Sequence, residues 1–194
     1  MEEQQYKIIL GTLILVASIT RGYYEIRYLG FERIKAHYEG RERIFVGVVG
    51  LCMMLPALIF IFSHTLDFAS FTLSDHIRLS GCILMMLNIL FFFWIHYTLG
   101  RNWSPILEIF KDQSLITTGP YKFIRHPMYT SIFIHVFALL PVTANWAVGL
   151  VAILSFSIIY PFRVKSEEQM MIEQFGDRYK EYMKQTGRLL PRLF

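Results

Sequence analysis

Apolar residues run along this chain in five blocks, and the polar stretches between them differ sharply in charge. Blocks 44–62 and 77–97 are each about as long as the ~20 residues a helix needs, at ~1.5 Å per residue, to cross ~30 Å of hydrocarbon. Block 8–20 is shorter, but Tyr6 and the Tyr23-Tyr24 pair flank it as interfacial anchors. Blocks 128–140 and 146–160 are separated by Pro141-Val-Thr-Ala-Asn145, which has turn chemistry and no charge. That pair reads as a tight helical hairpin, tilted or extended by its flanks. The pattern predicts an all-α integral membrane protein of about five transmembrane helices, with a cytoplasmic C-terminal helix over 166–188, broken near Gly176. There Met170, Met171, Phe175, Tyr179, Tyr182 and Met183 recur at helical spacing, a stripe that reads as packing. The first polar loop mixes Glu25, Glu32, Glu39 and Glu42 with basic residues, and is expected to continue the first helices as a solvated stalk.

Composition supports the membrane reading. The 194-residue chain is 54% hydrophobic and 16% aromatic, with a mean hydropathy of +0.41. Its pI of about 9.1 raises the question of nucleic acid, but the cations form no single stripe. They segregate by loop instead. Of 19 basic residues, only Lys7 and Arg78 fall on one side of a five-helix topology. The positive-inside rule then places the N-terminus outside and the C-terminus in the cytoplasm. The membrane is the cell membrane for a prokaryotic chain and the endoplasmic reticulum for a eukaryotic one. Glu2 and Glu3 precede the first block with Lys7 the one cation, so a retained helix is expected there and not a cleaved signal peptide. Cys52 and Cys82 lie inside apolar runs and read as buried free thiols, with no disulfide framework and no metal site. The chain shows no internal repeat.

Two polar clusters carry the chemistry. One is Lys122-Phe-Ile-Arg125-His126-Pro127-Met128-Tyr129, following the turn residues Gly119-Pro120. Pro127 suits the first turn of a helix, where its missing N–H would be unpaired anyway. Taken alone, Arg125 and His126 could be snorkelling cations. The second cluster, Arg163-Val-Lys-Ser-Glu167-Glu168, sits at the other end of the same hairpin. A hairpin brings its ends together, so cations, a histidine, tyrosines and paired carboxylates should converge at membrane depth, where ionisable groups are costly and usually functional. Elsewhere, Asn88 in the third span suits an interhelical hydrogen bond. His64, His96 and His135 read as interfacial or packed, at spacings that do not suggest metal ligation. Asn102 and Trp103 could shape an entrance or anchor the interface, and Glu108 could face a ligand or solvent.

Arg125-His126-Pro127-Met128-Tyr129 with Glu167-Glu168 some forty residues on resembles the signature of the isoprenylcysteine carboxyl methyltransferase family; related phospholipid N-methyltransferases share a version of it. The resemblance extends to Leu99-Gly-Arg-Asn-Trp-Ser104, to Leu115-Ile-Thr-Thr-Gly-Pro-Tyr121, and to Phe175-Gly-Asp-Arg-Tyr179 with Thr186-Gly-Arg188 and Pro191. It covers about half the chain, and implies a methyltransferase core over 99–194 behind an N-terminal three-helix region over 1–98. It further implies S-adenosylmethionine as methyl donor, bound in a cytosol-facing pocket, and a lipidated cysteine carboxylate admitted from the bilayer. The positions it implies for the donor are Gln113, Ser114, Leu115, Ile116, Tyr121, His126, Pro127, Met128, Tyr129 and Glu167. Arg163 is implied for the acceptor and, with Glu167, for catalysis.

Donor chemistry points the same way. S-adenosylmethionine carries a carboxylate, an ammonium and a sulfonium. Arg125 and His126 can donate to the first, and Glu167 or Glu168 can hold the second. Tyrosine faces favour the third by cation–π attraction. An acceptor carboxylate is already ionised at neutral pH, so no general base is required. The chain has no G-x-G-x-x-G nucleotide loop. Phospholipid N-methylation remains an alternative with less use for Arg163, and an NADPH-dependent membrane reductase is a second. A non-catalytic scaffold or small transporter is a third. The expected partners are the bilayer and a prenylcysteine-like acceptor, with no nucleic acid; the sequence leaves the oligomeric state open.

Overall fold

The structure, a computed structural model, describes residues 1–27, 33–36, 39–103, 108–110 and 113–192. Five long helices and one short one account for most of them: α1 (Glu3–Arg27), α2 (Glu39–Phe62), α3 (Asp75–Leu99), α4 (Pro127–Thr143), α5 (Trp146–Phe175) and α6 (Asp177–Gln185). Three of them, α1, α3 and α5, are long and apolar enough to cross a membrane; the apolar parts of α2 and α4, Val46–Phe62 and Pro127–Thr143, are shorter. Outward faces carry exposed Ile8, Leu15, Leu87, Leu90, Leu154 and Ile158. An apolar exterior over a packed interior suits lipid as solvent, and the chain is an all-helical membrane protein apart from one strand pair.

That pair corrects one expectation. α1 and α2 do extend beyond their apolar blocks, but the loop between them is not wholly stalk. β1 (Arg33–Ala36) pairs antiparallel with β2 (Glu108–Phe110), joining the first and third polar loops. Glu108 lies in β2, and its side chain falls outside the described residues. Pairing of distant loops leaves no periodic signal in a four-residue segment.

Prolines misplace two other boundaries. α4 continues through Pro141 to Thr143, and the hairpin turn shrinks to Ala144, at φ +47°, and Asn145. Likewise α5 passes through Pro161 to Phe175, so the expected helix from residue 166 is the end of α5, and the break falls at Gly176. Helices packed in a membrane tolerate proline because each one removes a single hydrogen bond that neighbours can offset.

Packing fixes the hairpin between the other helices. α4 lies against both α3 and α5, while α2 packs on α5 and α1 on α3. The core is built from Tyr6, Leu10 and Ile14 of α1, Met85 of α3, Val136, Leu139 and Val142 of α4, and Val148, Ala152 and Phe156 of α5. Gly149 lets the hairpin close: a Cβ there would lie 2.6 Å from Leu140 Cδ1 and 3.0 Å from its Cα. At the turn, the Asn145 side chain caps α5 by accepting from Val148 N (3.2 Å) and donates to Leu66 O (2.7 Å). The Val142 carbonyl, left without a helical donor at the end of α4, takes two bonds from Arg78 (3.2 and 2.9 Å). Mid-bundle, Asn88 bears out its expected role, donating to Ser131 O (3.0 Å) and accepting from Ser131 Oγ (2.9 Å).

Candidate active site

The hairpin brings its two polar clusters together at the end opposite Asn145. Three segments position them. A short turn over Gly119–Lys122 needs glycine at its start, since Gly119 has φ +56° and a Cβ would meet Thr98 Oγ1 at 2.7 Å. This turn buries Tyr121, whose carbonyl accepts from Tyr182 OH of α6 (2.6 Å). The extended residues Ile124–His126 are then held by the C-terminal tail. Ile124 bridges Gly187, Arg125 N donates to Gly187 O (2.9 Å), and His126 N donates to Arg188 O (3.1 Å). Pro127 opens α4 as expected.

The adjacent carboxylates of α5 have different fates. Glu168 is buried and saturated. It accepts from Arg125 Nε (2.6 Å) and from Arg188 Nε and Nη2 (3.1 and 2.6 Å), with His126 Nε2 at 3.3 Å. Arg125 spends a further donor on Thr186 O (2.5 Å). Glu167, one residue earlier, accepts from Tyr129 OH (2.6 Å) and lies 3.5 Å from His126 Nδ1. Its side chain is 31% exposed and lines a partly open cavity. Arg163 Nε reaches Tyr129 OH at 3.4 Å, so arginine, tyrosine and glutamate form one polar row.

His126 joins the two carboxylates electrically. Burial opposes its protonated form, but Glu167 and then Glu168 outweigh that cost and raise its pKa above the ordinary value. Burial, reinforced by the Glu167 charge, pushes the Tyr121 phenol well above its usual range, so it stays a neutral donor.

The cavity these groups face has a volume of about 610 Å³. Gln113, Ser114, Leu115, Ile116, Tyr121, Arg125, His126, Met128, Tyr129, Arg163 and Glu167 all line it. Pro127 and Glu168 do not. From this polar end the space runs toward mid-helix, past Met128, Ser131, Ile132 and His135, which recur at i, i+3, i+4 and i+7 on α4, to Ile14 of α1 and Met53 of α2. Ser114 is fixed by Asn102, whose Oδ1 accepts from Ser114 N (3.1 Å).

Several lining residues were read otherwise in the sequence. Met170, Met171, Tyr179 and Tyr182, taken as packing, face the cavity. Trp103 is buried on its wall beside Arg21 of α1, a residue no sequence signal singled out. Arg188 enters as the second cation on Glu168; its Thr-Gly-Arg context was visible, but not its partner. Among the described residues, no group of three or more His, Cys, Asp or Glu side chains could hold a metal ion.

A helical membrane bundle whose polar cluster opens on a cavity reaching toward mid-helix defines the class: an integral membrane protein with a cavity part polar and part apolar. The sequence pattern of the phospholipid methyltransferase family matches residues 77–178, more than half of the chain, and the chain belongs to that family. It is 31% identical over 97 residues to a nickel-cobalt-cadmium resistance protein of Alcaligenes xylosoxydans xylosoxydans, a match spanning 50% of this chain and 45% of that protein. It is also 31% identical over 94 residues to the protein-S-isoprenylcysteine O-methyltransferase of Schizosaccharomyces pombe, spanning 47% and 40%. Its matches thus span less than half the length of these relatives. In fold it is similar to a eukaryotic intramembrane Ras methyltransferase, an isoprenylcysteine carboxyl methyltransferase, with a TM-score of 0.53 at 20% identity, covering 80% of this chain and 53% of that one.

Proposed function

We propose that this chain transfers a methyl group from S-adenosylmethionine to the carboxylate of an isoprenylated cysteine, or of a similar lipid-borne acid. The observation that carries the reading is the row Glu167, Tyr129 and Arg163 at the polar end of a cavity that continues toward mid-helix. A site for a small zwitterion beside a lipid tail needs both signs of charge, aromatic faces and an apolar extension. All are present.

When bound, S-adenosylmethionine supplies a methyl group activated on a sulfonium. Glu167 is the carboxylate left to receive its ammonium, because Glu168 is already saturated by Arg125 and Arg188. Tyr121 and Tyr129 offer aromatic faces to a cation. Gln113 to Ile116 and Met128 complete the wall. Pro127 and Glu168 act one layer back, holding Arg125, His126 and Tyr129 at the mouth. Arg163 presents a planar fork to the acceptor carboxylate, which needs no base at neutral pH. Apolar walls exclude water and hold the reactants in line, from which much of the rate can come. In this reading five helices cross the bilayer, with the site on the cytoplasmic side. A phospholipid amine acceptor is the competing case, since the family's printed name is that of phospholipid methyltransferases.

The test is a radiolabelled methyl-transfer assay offering farnesylcysteine analogues and phospholipids side by side, with S-adenosylhomocysteine titrated in parallel. Label on the farnesylcysteine carboxylate is expected. Label on phospholipid alone would move the acceptor to an amine, and absence of S-adenosylhomocysteine binding would sink the reading. Arg163→Lys, which keeps the charge but loses the fork, should raise the acceptor KM while leaving S-adenosylhomocysteine affinity nearly intact.

A further inference from the structure

The apolar arm of the cavity holds a polar group that methyl transfer does not use. His135 stands on α4 six residues past Tyr129, about 9 Å further along the axis at ~1.5 Å per residue. Ser131, Ala138, Leu139 and Val142, on the same side of the helix, are all buried, whereas His135 keeps part of its surface open. It lines the cavity, so that open part faces the space. Asn88 and Ser131, one turn nearer the polar end, are committed to each other through Ser131 O (3.0 Å) and Ser131 Oγ (2.9 Å). Among the described residues, no group hydrogen-bonds the His135 ring. The arm is otherwise lined mainly by apolar side chains such as Ile14, Met53 and Ile132. An imidazole in an apolar wall costs free energy unless something hydrogen-bonds it. Ionisable residues inside helical membrane bundles usually mark the path of a polar ligand group. A plain hydrocarbon tail in this arm would leave the ring unpaired.

We infer that His135 reads a hydroxyl in the apolar body of the acceptor, so that the preferred acceptor is a lipid acid oxygenated roughly 9 Å beyond its head. This rests on the methyltransferase reading and narrows its acceptor class. An uncharged imidazole donates from one nitrogen and accepts at the other. A hydroxyl does both, so it satisfies whichever nitrogen faces the cavity. A site built to hydrogen-bond a hydroxyl disfavours the analogue that lacks it, because its own polar group is then left unpaired.

Full-length protein in phosphatidylcholine nanodiscs provides the test. The acceptors are N-acetyl-S-farnesylcysteine and a set of its monohydroxylated forms, with the hydroxyl moved along the chain. One hydroxyl position is expected to raise kcat/KM over the plain acceptor by about tenfold, the worth of one buried hydrogen bond. His135→Leu should abolish that preference, while S-adenosylhomocysteine affinity stays within about twofold. His135→Gln, which keeps a donor and an acceptor, should recover part of it; a merely structural role for the ring would not. A wild-type protein that labels the plain acceptor as well as every hydroxylated form overturns the inference and leaves the methyltransferase reading intact. A folded His135→Leu protein with the wild-type preference overturns it equally. Should His135→Leu not fold, His135→Phe with the wild-type preference would do the same. A wild-type protein that binds no S-adenosylhomocysteine and labels no acceptor would instead remove the underlying reading, and this inference with it.

Discussion

The two ends of the helical bundle treat the same residue types in opposite ways. At the end holding the hairpin turn, each buried polar group is used up inside the protein. Arg78 is spent on Glu3 (2.6 Å) and on the Val142 carbonyl, with its guanidinium 3.7 Å from the Tyr6 ring centroid. Lys7 lies 4.9 Å from the Phe60 ring centroid, and Asn145 ties the turn to Leu66 and Ser70. At the other end, Glu168 is equally spent, but Glu167, Arg163 and Arg21 face a cavity. One end is a closed seam, and the other turns charged side chains toward a space. The lesson is that a buried ionisable group in a membrane bundle points to function more strongly where it lines a space than where neighbours close over it.

Breaking the saturated cluster should have the largest effect. Glu168→Ala strands Arg125, His126 and Arg188 around an empty site and is expected to cost about 3 kcal/mol or more of stability. Thermal unfolding in detergent checks this. A change in transition temperature no larger than that of Glu167→Ala would erase the contrast between the two glutamates.

Glu167→Ala should do the reverse, with little loss of stability but weaker S-adenosylhomocysteine binding by about ten- to a hundredfold, the worth of a charge-assisted contact of ~1.5–3 kcal/mol. Titration on the folded variant decides it. At the closed end, Arg78→Met leaves the Val142 carbonyl and Glu3 without their donor, and about 1–2 kcal/mol of stability should go. Donor affinity should not move, and any loss there would mean the two ends are coupled.

The smallest effect is expected from His126, because burial cancels much of the attraction of its two carboxylates. Its pKa is raised in the folded state. The stabilisation it provides is therefore complete below the ordinary histidine value of about 6.5 and is lost as pH rises through the raised one. The stability gap between the wild type and His126→Asn should be wider at pH 6 than at pH 9. A gap that widens with rising pH would mean that the imidazole is held neutral.

The sequence by itself determined the membrane class, the approximate places of the five helices, the hairpin, and the pairing of its polar ends. Those features rest on hydropathy, turn residues and charge, which are local or nearly so. Gln113 to Ile116, Tyr121, His126, Met128, Tyr129, Arg163 and Glu167 were all legible as site residues from short motifs and their resemblance, and all of them line the cavity. Tertiary structure alone decided the rest. The β1–β2 pair depends on two loops some seventy residues apart. Which of two adjacent glutamates is spent depends on Arg188 arriving from a tail twenty residues further on. A helical stripe such as Met170, Met171, Tyr179 and Tyr182 looks the same in sequence whether it packs or lines a space. Arg21 lines the cavity because α1 packs against α3, and no neighbour in the sequence encodes that meeting. Contacts between segments far apart in the chain are settled by which faces bury together, and periodicity within one segment carries no record of the partner.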